Sequence, residues 1–392
     1  MRVVLVSPNF YPRIGGIESH LVEVVRNIGD VEFVVVTNSR KDAARRSALF
    51  PKTYFAHVWP SDLETRKWLL LLPPSLRIGQ SFGGLLERLR TLNRLGWLRR
   101  LDADIIHVHY FELDHLDRAD RRLGMPALIG RRYRKIAAAM ETRAPLLFTD
   151  HTVFTAPGEL VPEPTKEALL ASIRNIISVD LGSYGVVRSF QARHGGRSWF
   201  IPNSVDSDVF RPKAGPEDGF TVGFAARVGK LGEDLMHRVT KIVGDRVEWH
   251  IALGGESIDL ARAPIAQMAQ NVRLYSNLDY LQMPGFYNGI DVFINPFPGQ
   301  GVGRTTLEAM ACGLPVISVG TTEKYPVQSG KTGYLLPPDP EPIAETIIRL
   351  RDDRALRKSL GQNGRSVIVD EFSNRVLLPK LREVYSTLAQ EA

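Results

Sequence analysis

The sequence contains a single cysteine, Cys312, among its 392 residues. One cysteine excludes an intrachain disulfide and a thiolate metal cluster, and it fits a reducing compartment. The chain also lacks an apolar run of the ~18–20 residues that a membrane-spanning helix needs. Its longest leucine cluster, Trp68 to Leu72, ends at a proline pair, and its first apolar run, Val3 to Val6, is too short for a signal peptide. We therefore expect a soluble or peripheral protein in the cytoplasm.

The common nucleotide fingerprints are missing as well. The segment after the first apolar run, Arg13 to Glu18, has two glycines but not the spacing of G-x-G-x-x-G, which disfavours an NAD or FAD enzyme. Gly330 to Thr332 resembles the end of a P-loop, but Tyr325 stands where that motif needs its first glycine. We predict no P-loop here.

Three short patterns resemble metal sites. His107 and His109 point to the same side if they lie on a strand, yet no carboxylate or cysteine cluster follows at ligand spacing. We therefore favour a pair of satisfied histidines at a strand end. The D-x-D patterns Asp102–Asp104 and Asp206–Asp208 lie before a strand and in a polar linker. We expect no metal at any of the three.

Positive charge is concentrated in the first half of the chain. Residues 1–200 contain 29 Lys and Arg against 20 Asp and Glu, whereas residues 201–392 contain 21 against 23. This asymmetry predicts an anionic partner for the first half, such as a membrane, a nucleic acid or a phosphorylated substrate. The alternative is an ordinary arginine-rich surface.

Residues 82–97 form an amphipathic pattern with arginines on the polar side. Phe82, Leu85, Leu89 and Trp97 share one side of a helical wheel. Two interpretations remain open, a helix that packs on the core and a helix that lies on a membrane surface.

Short apolar runs alternate with helical spacing twice along the chain. This indicates two successive α/β series of βαβ units, each on a parallel sheet, joined by the polar stretch Pro202 to Asp218. The predicted strands are Val3–Ser7, Glu32–Thr37, Asp104–His109, Leu146–Thr149, Phe220–Ala225, Val247–Leu253, Asp291–Asn295 and Leu314–Val319. The predicted helices include Glu18–Ile28, Thr305–Ala311, Glu341–Arg351 and a final helix within Phe372–Ala392.

The strongest local signal is the segment DVFINPFPGQGVGRTTLEAMACGLP, residues 291–315. A buried strand leads into a glycine-containing loop and then into a helix, whose free N–H groups and dipole attract an anion. Arg304, Thr305 and Thr306 add a guanidinium and two hydroxyls at that end. Glu308 lies one turn into the helix, where a carboxylate can accept hydrogen bonds from a ribose diol. The alternative is a glycine-rich turn with an ordinary glutamate.

This segment resembles the E-x7-E motif of retaining glycosyltransferases of glycosyltransferase family 4, which have the GT-B fold. Other segments resemble the family in the right order: SPNFYPRIGGIESHL, DIIHVH, TDHTVF, IPNSVDSDVFRP, GFAARVGKLG and GKTGYLLPPDP. The resemblance implies an α/β protein with two Rossmann-like domains facing a cleft and a C-terminal helix that crosses back. The acceptor domain would comprise residues 1–204 plus 373–392, and the donor domain residues 205–372.

The resemblance also implies roles for individual residues. His151 would bind the donor sugar, and Arg227 and Lys230 would neutralise the diphosphate; we group these three as the catalytic set. The implied substrate-binding residues are Gly15, Gly16, Gln300, Gly301, Val302, Gly303, Arg304, Thr305 and Glu308. Glu308 would hold the ribose, and the two N-terminal glycines would let the backbone reach the diphosphate or the acceptor.

The sequence departs from the family pattern at two positions. Gln300 stands eight residues before Glu308, where the family has its first glutamate. An amide still donates and accepts hydrogen bonds, so we expect altered sugar preference or a lower rate. Lys230 lies three residues after Arg227, where the family spaces the two residues by five.

The resemblance implies transfer of a sugar from a UDP- or GDP-sugar, with no metal and no cofactor besides the donor. The basic first half then suggests an anionic membrane surface and a lipid acceptor, since two segments also resemble phosphatidylinositol glycosyltransferases. Three alternatives stay open at this point. They are a soluble transferase that acts on a sugar phosphate or small metabolite, a GT-B epimerase, and a non-catalytic nucleic-acid-binding protein.

Overall fold

The computed structural model describes residues 1–7, 10, 15–37, 50, 53–57, 102–109, 143–151, 154, 166–167, 170–171, 173–213, 219–227, 233–255, 265, 271–297, 303–321 and 324–392. The amphipathic segment 82–97 lies outside these residues. So do four predicted site residues: Lys230, Gln300, Gly301 and Val302. Within the described part of the chain, no helix is both long and apolar enough to cross a membrane.

The chain divides into two compact units. Unit 1 comprises Met1–Phe10, Ile28–Pro202 and Lys380–Ala392, and unit 2 comprises Tyr11–Asn27 and Asn203–Pro379. The predicted boundary at residue 204 stays a prediction. The sequence did not predict one feature of this division. The first helix belongs to unit 2, although the strands before and after it belong to unit 1.

Unit 1 contains a parallel sheet, and its described strands number seven, in the spatial order β3-β2-β1-β4-β5-β6-β7. The run EFVVVT forms β2 with the bounds that its β-branched residues predict. The strands are β1 (Arg2–Val6), β2 (Glu32–Thr37), β3 (Thr53–His57), β4 (Ile105–Val108), β5 (Leu146–Asp150), β6 (Asn175–Ser178) and β7 (Arg197–Phe200). This order is that of a Rossmann fold, whose strand order reverses between β1 and β4.

Unit 2 repeats the same topology, with six described strands in the order β10-β9-β8-β11-β12-β13. Here the order reverses between β8 and β11, which pair in parallel. The strands are β8 (Thr221–Arg227), β9 (Glu248–Gly254), β10 (Val272–Ser276), β11 (Val292–Asn295), β12 (Val316–Val319) and β13 (Gly333–Leu336). Two Rossmann-like series, predicted from the alternation of strands and helices, are thereby confirmed.

The helices cover the sheets and begin at side-chain caps where the sequence supplies an aspartate. Asp180 accepts a hydrogen bond from the N–H of Ser183 at 2.9 Å, and Asp353 accepts one from Leu356 at 2.8 Å. The helices are α1 (Gly16–Asn27), α2 (Leu181–His194), α3 (Glu233–Val243), α4 (Met283–Tyr287), α5 (Arg304–Ala311), α6 (Pro340–Asp352), α7 (Arg354–Val367) and α8 (Asn374–Gln390).

The end of α8 packs on unit 1, as the crossing-back helix of the predicted fold. Leu381, Val384, Tyr385 and Leu388 are buried at helical spacing. The hydroxyl of Tyr385 lies 2.7 Å from Nδ1 of His107 on β4. The predicted C-terminal helix is confirmed.

Candidate functional site

The predicted anion site lies where β11 leads into α5. Asn295 ends β11, and its Nδ2 donates a hydrogen bond to Oγ1 of Thr306 at 3.2 Å. Gly303 is the N-terminal cap of α5 with an extended backbone and no side-chain cap. The start of α5 is therefore held at the carboxyl end of β11, beside the point where the strand order reverses, which is the usual ligand position in such sheets.

Glu308 lies one turn into α5 and is only 4% exposed. Its Oε2 accepts a hydrogen bond from the hydroxyl of Tyr287 on α4 at 2.8 Å. Burial raises the pKa of Glu308 to about 7, although Arg304 and Tyr287 partly oppose the shift. A carboxyl group with this pKa changes between acid and carboxylate near neutral pH.

Arg304 has partners other than the phosphate that we predicted for it. Its Nη2 lies 2.6 Å from Oε1 of Glu23 and 3.5 Å from Oε1 of Glu308. Its Nη1 donates a hydrogen bond to the backbone carbonyl of Ser204 at 2.7 Å. Burial alone lowers the pKa of Arg304, but the two carboxylates outweigh it and raise that pKa above its usual value. The guanidinium is therefore charged and engaged within the protein.

Glu23 was not among the predicted site residues. It lies on α1, is fully buried, and its Oε1 also accepts a hydrogen bond from the hydroxyl of Tyr280 at 2.9 Å. The N–H of Asp206 lies 3.3 Å from the same oxygen. Burial raises the pKa of Glu23, while Arg304 opposes the shift. One indication of this role is present in the sequence, because Glu23 is the single charged residue within the otherwise apolar run LVEVV.

Lys324 is a second site residue that sequence reasoning missed. It is 2% exposed, and its Nζ donates hydrogen bonds to the carbonyls of Phe297 at 2.7 Å and Val319 at 2.6 Å. Burial lowers its pKa. The ammonium therefore joins the segment after β11 to the end of β12.

In unit 1, three histidines lie near one another at the ends of β4 and β5. His151 follows β5, and its Nε2 lies 3.4 Å from Nδ1 of His109. His107 is buried, with the hydroxyls of Thr149 and Tyr385 each 2.7 Å from one ring nitrogen. This confirms that His107 is a satisfied strand histidine.

The other predicted residues are placed as follows. Gly15 accepts a hydrogen bond from the N–H of Ser19 at 2.9 Å and precedes α1, which begins at Gly16. Arg227 is the last residue of β8, and Thr305 is half-buried in the first turn of α5. The site roles of all these residues stay predictions.

The chain is similar to known glycosyltransferases in sequence and in fold. Residues 219–353, about a third of the chain, match the family model described as glycosyl transferases group 1. Over 99% of this chain and 100% of the other, the fold matches HepE of Anabaena in complex with UDP-glucose, with a TM-score of 0.69 and 16% identity. The fold is that of GT-B glycosyltransferases. Residues 219–353 form a glycosyl transferases group 1 domain, which confirms the glycosyltransferase recognition made from the motifs, while retention at the anomeric carbon stays a prediction.

Curated relatives differ in how much of the chain they match. A GDP-mannose-dependent monoacylated alpha-(1-6)-phosphatidylinositol monomannoside mannosyltransferase of Corynebacterium glutamicum is 26% identical over 98% of this chain and 97% of its own length. A D-inositol 3-phosphate glycosyltransferase of Streptomyces avermitilis is 26% identical over 66% and 60%. The capsular polysaccharide glycosyltransferase CapM of Staphylococcus aureus is 35% identical over 27% of this chain and 29% of its own length.

Proposed function

We propose that this protein transfers a sugar from a nucleoside diphosphate sugar to an anionic lipid-linked or phosphorylated acceptor, with retention at the anomeric carbon. The observation that carries the proposal is the buried Glu308 one turn into a helix that starts at the carboxyl end of β11. A helix start supplies donors for phosphate, and a buried carboxylate supplies acceptors for a ribose diol.

The donor is proposed to be a UDP- or GDP-sugar. Support comes from the UDP-glucose complex of HepE and from the GDP-mannose dependence in the name of the corynebacterial relative. In this proposal the N-terminus of α5 and Arg227 bind the diphosphate, and Glu308 binds the ribose. Gln300 and His151 contact the transferred sugar, with Lys230 as an additional cation.

The acceptor is proposed to bind at the basic first half of the chain, at the inner face of the cell membrane. Residues 1–200 hold nine more cationic than anionic side chains, which favours a negatively charged lipid surface. The corynebacterial relative, which matches 98% of this chain, has a phosphatidylinositol monomannoside in its name. A hydroxyl of such a lipid would be the nucleophile.

The proposed reaction exchanges one bond at the anomeric carbon for another. The bond from that carbon to the diphosphate breaks, and a bond to the acceptor oxygen forms on the same face. The acceptor proton passes to the leaving phosphate. Positive groups that stabilise the growing diphosphate charge would supply most of the rate, so the proposal needs neither a metal nor a further cofactor.

Two assays test the proposal in sequence. A thermal-shift panel with UDP, GDP, ADP and their sugars should show stabilisation by one nucleotide class, because a ligand that binds the folded state raises its melting temperature. The matching sugar donor should then give a glycolipid with phosphatidylinositol vesicles, and EDTA should leave the rate unchanged. Failure to transfer from any of these donors to any acceptor would contradict the proposal.

A second candidate is a transferase for a water-soluble phosphorylated acceptor, which the similarity to the inositol phosphate glycosyltransferase favours. Here the basic half would attract a phosphate rather than a lipid surface. Turnover of inositol phosphate without vesicles, together with equal sedimentation on anionic and zwitterionic vesicles, would select this candidate. Salt-sensitive sedimentation on anionic vesicles alone would select the lipid acceptor.

A further inference from the structure

We propose that Glu23 and Arg304 are positioning residues for Glu308, and that Arg304 acts on the ribose end of the donor through Glu308 instead of binding the diphosphate. The inference rests on the proposed function, because it takes Glu308 as the group that receives the ribose. It concerns two residues of unit 2 that lie 281 positions apart in the sequence.

The contacts of Arg304 place its guanidinium beside the second turn of α5. Arg304 is the first residue of the helix, and Glu308 lies four residues later on the same face. Since Nη2 contacts both Glu23 and Glu308, the guanidinium lies along the helix and is not extended beyond its N-terminus. Nη1 is engaged by the carbonyl of Ser204. Both terminal nitrogens therefore have protein partners.

The carboxylate of Glu308 is held from two sides. Oε1 faces Arg304 at 3.5 Å, and Oε2 accepts the hydroxyl hydrogen of Tyr287 at 2.8 Å. Each carboxylate oxygen accepts more than one hydrogen bond, so both oxygens keep capacity for a diol. Two fixed neighbours set the orientation of the carboxylate before the ligand arrives, which lowers the entropy cost of binding.

The distances also decide which carboxylate pairs with the single guanidinium. Arg304 is 0.9 Å closer to Glu23 than to Glu308, and Glu23 receives two further donors, from Tyr280 and Asp206. Glu23 is therefore the ionised partner of Arg304, and Glu308 is the carboxyl group that gains and loses the proton. The negative charge of Glu23 raises the pKa of Glu308.

The first test compares UDP and GDP with their 2′,3′-dideoxy counterparts in wild type, Glu308→Gln and Arg304→Met, using titration calorimetry. Wild type should bind the ribose form about 10–100-fold more tightly than the dideoxy form, because hydrogen bonds to a charged group typically contribute this much to affinity. Both variants should lose most of this preference, while affinity for the dideoxy form changes little. Arg351→Met, which removes a half-buried arginine on α6 whose partner is the neighbouring Asp352, is the matched control.

Three results would overturn the inference, each for a different reason. If Arg304→Met weakens both forms equally and keeps the ribose preference, Arg304 acts on the phosphates and the positioning role is wrong. A ribose preference that survives in Glu308→Gln would remove the ribose role of Glu308. No binding of either nucleotide by wild type would refute the proposed function itself.

The second test uses Glu23→Gln, which preserves the shape of the buried side chain. This variant tests the inference even if Arg304→Met fails to fold. The midpoint of the pH dependence of UDP or GDP affinity should move to lower pH, because the variant removes a negative charge that raises the pKa of Glu308. Unchanged pH dependence with uniformly weaker binding would indicate a purely structural role and contradict the inference. Glu345→Gln, on the exposed side of α6, is the matched control. The described ionisable groups that interact with Glu308 are Glu23, Arg304, Tyr287 and Cys312, and Tyr280 interacts with Glu23 and Arg304.

Discussion

Among the described residues, the buried histidine cluster of unit 1 and the buried arginine cluster of unit 2 differ in charge. In unit 1, His107 is bound by Thr149 and Tyr385, and burial lowers its pKa to about 3, so the cluster is neutral. In unit 2, Arg304 lies between two buried carboxylates. Both ring nitrogens of His107 have partners, whereas Oε2 of Glu23 and Nε of Arg304 have no hydrogen-bond partner among the described residues.

This difference indicates that the cluster in unit 1 stabilises the fold and that the cluster in unit 2 has a functional role. A neutral network with every group satisfied stabilises a core without a large desolvation cost. A charged cluster with a proton that leaves near neutral pH is costly to bury and is typical of functional sites. The variants below distinguish an effect on stability from an effect on nucleotide binding.

The largest expected effect is on stability, from Arg304→Ala. Removing the guanidinium leaves Glu23 and Glu308 buried without their cation, and breaking such a pair costs about 3–5 kcal/mol. Denaturant unfolding of this variant and of the Arg351→Ala control measures the loss. An equal, small loss in both variants would show that the charged cluster does not contribute to stability.

Glu308→Gln should reduce binding while it preserves the fold. The amide keeps the shape of the side chain but lacks the charge, so nucleotide affinity should fall about 10–100-fold. The free energy of unfolding should stay the same or rise, because the variant removes a buried negative charge. Unchanged affinity in calorimetry would contradict the ribose role of Glu308.

Wild-type affinity for UDP or GDP should depend on pH near neutrality. Glu308 must be ionised to accept two hydrogen bonds, and its pKa is raised to about 7. Nucleotide affinity should therefore reach its full value above this pH. Below it, affinity should fall about tenfold per pH unit, which is the limit when one group must lose its proton before the ligand binds. The dependence should be absent in Glu308→Gln. A flat profile in wild type would contradict this account of the site.

A matched pair of tyrosine variants compares the clusters directly. Tyr385→Phe removes a partner of the buried His107 and should cost about 1–3 kcal/mol of stability with nucleotide affinity unchanged. Tyr287→Phe removes the donor to Glu308 and should weaken nucleotide binding. Unfolding curves and calorimetry on both variants test this. A loss of nucleotide affinity in Tyr385→Phe would contradict the claim that the His107 cluster contributes to stability and not to nucleotide binding.

The smallest effect is expected at an exposed ion pair of unit 2. Arg375 and Asp208 are 2.8 Å apart and largely exposed, so Asp208→Asn should change stability by only about 0.2–1 kcal/mol. Nucleotide affinity should not change. A loss as large as that of Arg304→Ala would mean that burial does not explain the difference between the ion pairs.

Much of the fold follows from local patterns. The run EFVVVT and the alternation of strands and helices predict two Rossmann-like series because buried parallel strands read as continuous β-branched runs. β7 was not predicted, since RSWF is half-buried or exposed and has no apolar run. β10, VRLYS, lies at an edge of its sheet and has the same weak pattern.

The site was predictable only where its residues are close in sequence. Glu308 and the start of α5 follow from one glycine-containing segment, because the strand, loop and helix are consecutive. The partner of Arg304 is 281 residues away on α1, and no local pattern specifies that contact. Arg304 was therefore predicted to bind phosphate from its position at the helix start alone. Lys324 was missed for the same reason, since its carbonyl partners follow from the packing of β11 beside β12.

The configuration of the reaction product tests the central claim most directly. The wild-type protein should be incubated with the α-linked nucleoside diphosphate sugar that stabilises it and with phosphatidylinositol vesicles. The anomeric coupling of the new glycosidic bond should then be measured by NMR. A retaining transferase gives an α-linked glycolipid, which is the predicted result. A β-linked product, or no glycosidic product with any donor that binds, would contradict the account.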